Sequence, residues 1–250
     1  MPGGALDGRC VVIVGASAGV GAATARAASA AGATVITGAR SIAQLEALAA
    51  QAPEPGRIVA VACDVTDQAS VDAFAAAVDA AAPEGIDALL VTVGVTHLAP
   101  MRDLEPEALR RILDTNLVGP HAVVRALVPS LAPDGRVGCC SSNAVGAPMP
   151  GLGAYLASKA GLDLALDLWR LDHPELALTR IVVGPTVTEA AAAWDPELSA
   201  AYFDRWFGEG YFDGVTPVEA EVVADALVAW LAAAEVPAEL DLFARLNVTS

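Results

Sequence analysis

Tyr155 and Lys159 stand four residues apart in the run AYLASKAG. On a helix, side chains at this spacing share one face, with Cβ atoms about 5–6 Å apart. A phenol with a pKa near 10 exchanges protons poorly at neutral pH, and a neighbouring ammonium favours its ionised form. The pair therefore suits acid/base work, although alone it is also an ordinary helical surface pair. Ser142 stands 13 residues upstream of the tyrosine. Asn116, in DTNLVG, falls where two helical stretches meet. An amide there either interrupts the helix or contacts a structural water or the lysine.

These groups need a reaction partner, and the amino-terminal region supplies a seat for one. Gly15, Gly19 and Gly21, in GASAGVG, directly follow the apolar run CVVIV. Glycines at such a strand-to-helix turn allow it to be tight, let the backbone approach a pyrophosphate and aim helix N–H groups at it. A plain glycine-rich turn is the blander reading. At the next strand end, an acidic residue would accept from a free ribose 2′-hydroxyl. Here Thr37, Gly38 and Ala39 lead to Arg40, with no acid. The Arg40 guanidinium suits a 2′-phosphate, and Ser17 and Ser41 add hydroxyl donors. NADP(H) is thus expected over NAD(H), with a solvated loop charge as the alternative role for Arg40. Asp64, in CDVTD, is placed to accept from an adenine amino group; helix capping is its other reading, and Asp67 can supply that instead.

Positioning these residues requires alternating strands and helices. Strands are expected at Cys10–Val14, Thr34–Gly38, RIVAVAC, DALLVTV, GRVGCCS and ALTRIVV, with LDLFA as the last. Helices are expected from Val20 to Gly32, in SIAQLEALAAQA with Ser41 as N-cap, and in DQASVDAFAAAVDAAA before Pro83. Further helices are expected at about Glu105–Asn116, Pro120–Leu131, Gly153–Leu171 and Val218–Ala233. Near-continuous apolar strands alternating with helices imply an α/β, doubly wound (Rossmann), mostly parallel seven-stranded sheet, with helices on both faces and ligands at the strands' carboxyl ends. One domain, 1–250, is expected. In GLDLALDLWRL, Leu162 and Leu166 share one helical side, while Leu164, Leu168 and Leu171 lie nearly opposite. A helix apolar on two sides needs two covers: the sheet, and either a partner subunit or a neighbouring helix.

Composition narrows the classes. The chain has 250 residues, is 55% hydrophobic but only 5% aromatic, and carries a formal charge of −16. Its core must be built from Ala, Val and Leu. The negative charge disfavours nucleic acid and anionic membranes as partners. Cys10, Cys63, Cys139 and Cys140 show no C-x-x-C and no metal-ligand spacing with the three histidines, so buried thiols and no metal are expected. No leader-like start and no membrane-length apolar run are present, which leads to the expectation of a cytoplasmic protein.

The order of the glycine turn, DVTD at Asp64–Asp67, Asn116, Ser142 and Tyr155-x-x-x-Lys159 resembles the short-chain dehydrogenase/reductase family, from the turn through the last helix. The resemblance implies a hydride transfer between nicotinamide and a carbonyl or secondary alcohol. It implies that Tyr155 is the acid/base and that Lys159 binds the nicotinamide ribose and lowers the tyrosine's pKa. Ser142 would hold the substrate oxygen, and Asn116 a water linking Lys159 to solvent. GPTVT resembles the family segment that contacts the carboxamide and pyrophosphate, through Gly184, Thr186 and Thr188. Val20, Val65 and Gly94 complete the implied cofactor set. A homodimer or homotetramer is expected. Three features depart from the family: VTVG (Val91–Gly94) replaces N-N-A-G, Val183 replaces a proline, and the glycine-rich ending is missing. The first bears on cofactor affinity more than on catalysis.

Seven of the twelve aromatics fall between Thr188 and Pro217: Trp194, Tyr202, Phe203, Trp206, Phe207, Tyr211 and Phe212. In the family this segment, about 188–217, covers the substrate. Trp194, Tyr202, Phe203, Trp206 and Phe207 are expected to form an apolar lid over a hydrophobic small molecule, or else a satellite core. His97, Met101 and Met149 are placed at the same mouth, while His121 and His173 read as structural. The alternatives are an NAD(H)-dependent member of the family and a catalytically weak nucleotide-sensing or scaffold member. A sugar-nucleotide epimerase relative would need a longer C-terminal domain.

Overall fold

The computed structural model describes residues 4–54, 57–188, 191 and 193–243. Its strands are β1 (Cys10–Val14), β2 (Thr34–Ala39), β3 (Ile58–Ala62), β4 (Ile86–Val91), β5 (Leu131–Ser142), β6 (Ala177–Val183), β7 (Thr186–Val187), β8 (Val218–Glu219) and β9 (Glu239–Asp241). Its helices are α1 (Gly19–Ala30), α2 (Ile42–Ala49), α3 (Gln68–Ala81), α4 (Pro106–Leu113), α5 (Gly119–Leu127), α6 (Gly153–Asp172), α7 (Pro196–Gly208) and α8 (Ala220–Ala232). Seven strands form one sheet in the order β3-β2-β1-β4-β5-β6-β9, every pairing parallel. The order reverses between β1 and β4, and in open α/β sheets ligands bind at such a switch, beyond the strands' carboxyl ends.

Side-chain alternation explains the two layers. Val11 and Ile13 of β1 face a core built with α1, α2 and α8, including Ala25, Leu45, Leu227 and Trp230. Val12 and Val14 face the opposite core, with Phe74 of α3, Val123 of α5 and Leu166 of α6. The alanines of α1 let it lie against α8, where Ala23 meets Ala220 and Ala224. With few aromatics, each buried Val or Leu contributes about 1.5–3 kcal/mol, so the core's strength lies in number rather than size.

β1, β2, β4 and β6 match their expected positions to within two residues, whereas β5 begins four residues before the expected GRVGCCS; the connections differ more. The two helices expected around Asn116 are one continuous helical run, joined through a π turn at Asp114–Val118. The second ends sooner than expected. After α5 a short 3-10 turn, Val128–Ser130, contains Pro129, and Leu131 already pairs with Ile86 as the start of β5. Proline lacks the N–H that would continue the helix. Val218 and Glu219 do not open a helix as expected. They pair in parallel with Thr186 and Val187, and α8 begins at Ala220. The stretch before them, expected to be irregular, contains α7, whose Asp195 caps Leu198 N at 2.9 Å ahead of Pro196. The expected last strand is reduced to Glu239–Asp241; Leu242 and Phe243 leave it, and Phe243 packs on Gly184. Ala244 lies outside the described residues.

On α6, Leu162 and Leu166 are buried at 2% exposure each, while Leu164, Leu168 and Leu171 are 62%, 51% and 76% exposed. Among the described residues no helix is long and apolar enough to cross a membrane. All four cysteines are free. Burial pushes the Cys63 and Cys139 thiols up to about 12 and those of Cys10 and Cys140 to about 11, which keeps them unreactive.

Candidate active site

The nucleotide end is shaped by the turn after β1. Gly15 has φ +98°, in the left-handed region that favours glycine, and its N–H donates to Gly38 O at 2.8 Å. A Cβ on Gly21 would fall 2.3 Å from Gly15 O, so only glycine lets the start of α1 approach the turn this closely. The residue at the N-cap of α1 is Ala18, whose side chain cannot cap the helix. Its first N–H groups and the positive end of its dipole therefore form a seat for an anionic pyrophosphate. The residues present fit a dinucleotide. Ser17 is half-buried in the turn, and Val20 packs, partly buried, where α1 meets α8. The loop carrying Gly184, Thr186 and Thr188 closes on the turn. Thr188 Cγ2 lies 3.3 Å from where a Cβ on Gly19 would stand. Thr186 Oγ1 donates to Gly184 O at 3.0 Å.

At the end of β2, Arg40 is exposed. Ser41 caps α2, its Oγ accepting from Gln44 N at 3.4 Å, which leaves the hydroxyl proton free to donate. Asp67, not Asp64, caps α3. Asp64 instead accepts from Thr66 Oγ1 at 2.7 Å and Thr66 N at 3.0 Å. Those two hydrogen bonds, then the nearby Arg40 charge, hold its carboxyl below the usual range against the opposing effect of burial. Val65 is buried and turns its side chain against Gly119 of α5.

The chemical end lies where β4 and β5 stop. Ser142 is the last residue of β5; its Oγ accepts from Ala144 N at 3.2 Å, and its hydroxyl lies close enough to the Tyr155 phenol to favour the ionised form. Tyr155 occupies the first turn of α6. One turn on, Lys159 is 3% exposed, and its Nζ donates to Cys140 O at 2.8 Å and to Val93 O at 3.4 Å. The ammonium lies 6.0 Å from the centre of the Tyr155 ring. Gly94 is exposed beside it; a Cβ there would stand 3.5 Å from Nζ. Asn116 is fully buried in the π turn. Its Nδ2 donates to Val95 O at 2.8 Å and Ser158 Oγ at 3.0 Å, and its Oδ1 accepts from Val95 N at 2.8 Å. Asn116 thus joins the group through the neighbours of Lys159 and Val93, with no direct bond to the lysine.

Burial dominates the electrostatics. It raises the Tyr155 phenol above its ordinary range; the Ser142 hydroxyl opposes the rise, and the nearby Cys140 and Asp163 add to it. Burial also lowers Lys159, against the upward pull of Cys140, Cys139 and Asp163. The tyrosine is therefore not held low here, as the family resemblance had implied.

Three contributors escaped sequence reasoning. Asp163 lies one turn beyond Lys159 on the face of Tyr155, its carboxyl raised mainly by burial, with Arg180 Nη1 4.0 Å away. Its spacing was a readable signal. Ser158 gave none before its amide partner was known. Thr92 hydrogen-bonds the glycine turn, and its hydroxyl within VTVG was the only hint.

The aromatic segment forms a small satellite core. Trp206 is 2% exposed, packs with Leu98 and Leu152, and donates from Nε1 to Pro150 O at 3.0 Å. Trp194 and Tyr202 are partly buried around it, and Trp194 Nε1 donates to Thr96 Oγ1 at 3.0 Å. Phe203 and Phe207 remain exposed, at 37% and 65%. Met149 joins the satellite core, His97 is half-buried, and Met101, 69% exposed, lies across Gly153 at the start of α6. His121 and His173 flank Trp169 far from this mouth, and Trp169 Nε1 donates to His121 Nδ1 at 3.2 Å.

Comparison with known proteins adds independent findings. The sequence matches the family model described as short chain dehydrogenase over residues 9–198. It is 33% identical to the glycine betaine reductase ATRR of Emericella nidulans over 195 residues, which are 76% of this chain but 15% of that protein. It is 31% identical to the galactitol 2-dehydrogenase of Agrobacterium fabrum over 206 residues, 81% of this chain and 78% of that one. An alcohol dehydrogenase from Thermococcus sibiricus, solved with 5-hydroxy-NADP, superposes with a TM-score of 0.81 at 22% identity, covering 94% of this chain and 95% of that one. At that identity the likeness concerns the fold.

Proposed function

This chain belongs to the short-chain dehydrogenase family and is an oxidoreductase acting at a carbonyl or CH–OH carbon with a nicotinamide cofactor; on that premise we propose that it prefers NADP(H), uses Tyr155 as acid/base and takes a hydrophobic small molecule. The observation that carries the reading is the meeting of Ser142, Tyr155 and Lys159 at the ends of β4 and β5, beside a glycine turn that opens a helix at Ala18. The nicotinamide, when bound, supplies or takes up the hydride. Tyr155 exchanges the proton with the substrate oxygen, and Ser142, beside that phenol, holds the same oxygen. Lys159, fixed by two carbonyls, holds the nicotinamide ribose. The free lone pair of Asn116 Oδ1 is the atom offered to a water leading to Lys159.

Gly15, Ser17, Gly19, Val20 and Gly21 hold the pyrophosphate, assisted by Gly184, Thr186 and Thr188. Asp64 and Val65 would hold the adenine end of the cofactor, and Gly94, beside Lys159 Nζ, its nicotinamide end. The preference for a 2′-phosphate rests on the exposed Arg40 and the spare hydroxyl proton of Ser41. The hydrophobic substrate class is supported by the exposed apolar side chains of Phe203 and Phe207 on α7 and of Met101, which lies across the start of α6. Residues 188–217 act as the lid, with Trp206 as its anchor. A second copy of the chain is proposed to cover the exposed leucines of α6.

The test is titration with NADPH and NADH, then a panel of carbonyls and alcohols followed by nicotinamide absorbance. NADPH should bind more tightly than NADH. Tyr155→Phe should lower turnover by about 10²–10⁴-fold with NADPH affinity retained. Wild-type turnover in that variant would sink the assignment.

A further inference from the structure

Thr92 is the first residue beyond β4, and its side chain points back across the sheet. Its N–H donates to Val14 O at 2.8 Å, and Oγ1 stands 3.1 Å from Val14 O and 3.2 Å from Gly15 O. One hydroxyl proton is thus shared between the last carbonyl of β1 and the first carbonyl of the glycine turn. The same oxygen occupies the space that the glycines leave. A Cβ on Gly15 would lie 2.7 Å from it, and one on Gly21 2.5 Å from it. Turn and hydroxyl are therefore fitted to each other, in a chain where VTVG stands in place of the family's N-N-A-G.

We propose that Thr92 is a positioning residue for cofactor binding: its hydroxyl pins the carbonyls of the glycine turn and so holds the first N–H groups of α1 in place for the pyrophosphate. The inference rests on the reading of that turn as the dinucleotide seat. Thr92 has no part in proton transfer. Val93 O holds Lys159 and Val95 holds Asn116 through bonds that do not use the Thr92 side chain. Losing the hydroxyl should therefore be felt in cofactor affinity and not in the chemical step.

Three variants test this. Thr92→Val keeps the shape but sets a methyl against two carbonyl oxygens; Thr92→Ala removes the hydroxyl without adding atoms, and decides the matter if the valine variant does not fold. Thr92→Ser keeps the hydroxyl. Fluorescence titration should show NADPH bound about tenfold more weakly by the valine and alanine variants, the effect expected for one buried hydrogen bond lost. At saturating cofactor their kcat should stay within about twofold of wild type, since ground-state binding alone is affected. The serine variant should restore affinity. Wild-type affinity in the alanine variant, weak binding by the serine variant, or a loss confined to kcat would each overturn the inference. A wild-type chain that binds neither NADPH nor NADH would overturn the functional reading and this inference together, whereas tight wild-type binding with unaffected variants overturns this inference alone.

Discussion

Tyr155 is held protonated through neutral pH, because burial raises its pKa above the ordinary range. In carbonyl reduction the phenol must give a proton, so kcat/KM should be level across neutral pH and fall only on the alkaline side. In alcohol oxidation the phenolate must accept one, so kcat/KM should rise with pH over the same interval. These profiles report the free enzyme's groups. Rate profiles in both directions check the sign, and oxidation that is fastest in acid would contradict it. Tyr155, Lys159 and Ser142 were legible in the sequence because their side-chain chemistry is distinctive and their order fixed. The carbonyls of Val93 and Cys140 were not, since every residue has one and only the fold selects which two meet the ammonium.

The π turn at Asp114–Val118 is the element that delivers Asn116. It adds a residue to one helical turn, and such bulges are common at functional sites. Asn116→Ala would leave Val95 N, Val95 O and Ser158 Oγ without their amide partner. A destabilisation of about 1–3 kcal/mol is expected for such a buried loss. Thermal melting should show it as a fall in Tm of about 2–4 °C per kcal/mol for a chain of this size. The sequence pattern placed most helices and strands because apolar runs and caps such as Ser41 are local. It failed at Leu131 and Val218, where pairing with a distant strand decides between helix and strand. It also passed over α7, although Asp195 followed by Pro196 is a good helix start; the aromatic crowding beyond it drew attention to burial instead.

At the scale of the whole molecule, the opposed leucine sets on α6 were readable as a two-sided helix. The structure leaves one side, Leu164, Leu168 and Leu171, open to solvent. With these leucines covered by a second copy, Leu164→Glu with Leu168→Glu should convert the assembly to monomer in sedimentation equilibrium, while far-ultraviolet dichroism stays unchanged. The formal charge of −16 on each copy opposes association. Added salt should accordingly strengthen wild-type assembly, with little effect on the double variant. A monomeric wild type at all salt concentrations would contradict the proposal.

The seating of Lys159 on two backbone oxygens has a corollary for mutagenesis. The side chains at Val93 and Cys140 are not the atoms that grip the ammonium, so a replacement that preserves the packing around the buried Cys140 leaves the two gripping carbonyls in place. An alanine scan would report only packing at these positions, whereas an ester replacing the amide, whose carbonyl accepts more weakly, would expose the grip on the ammonium itself.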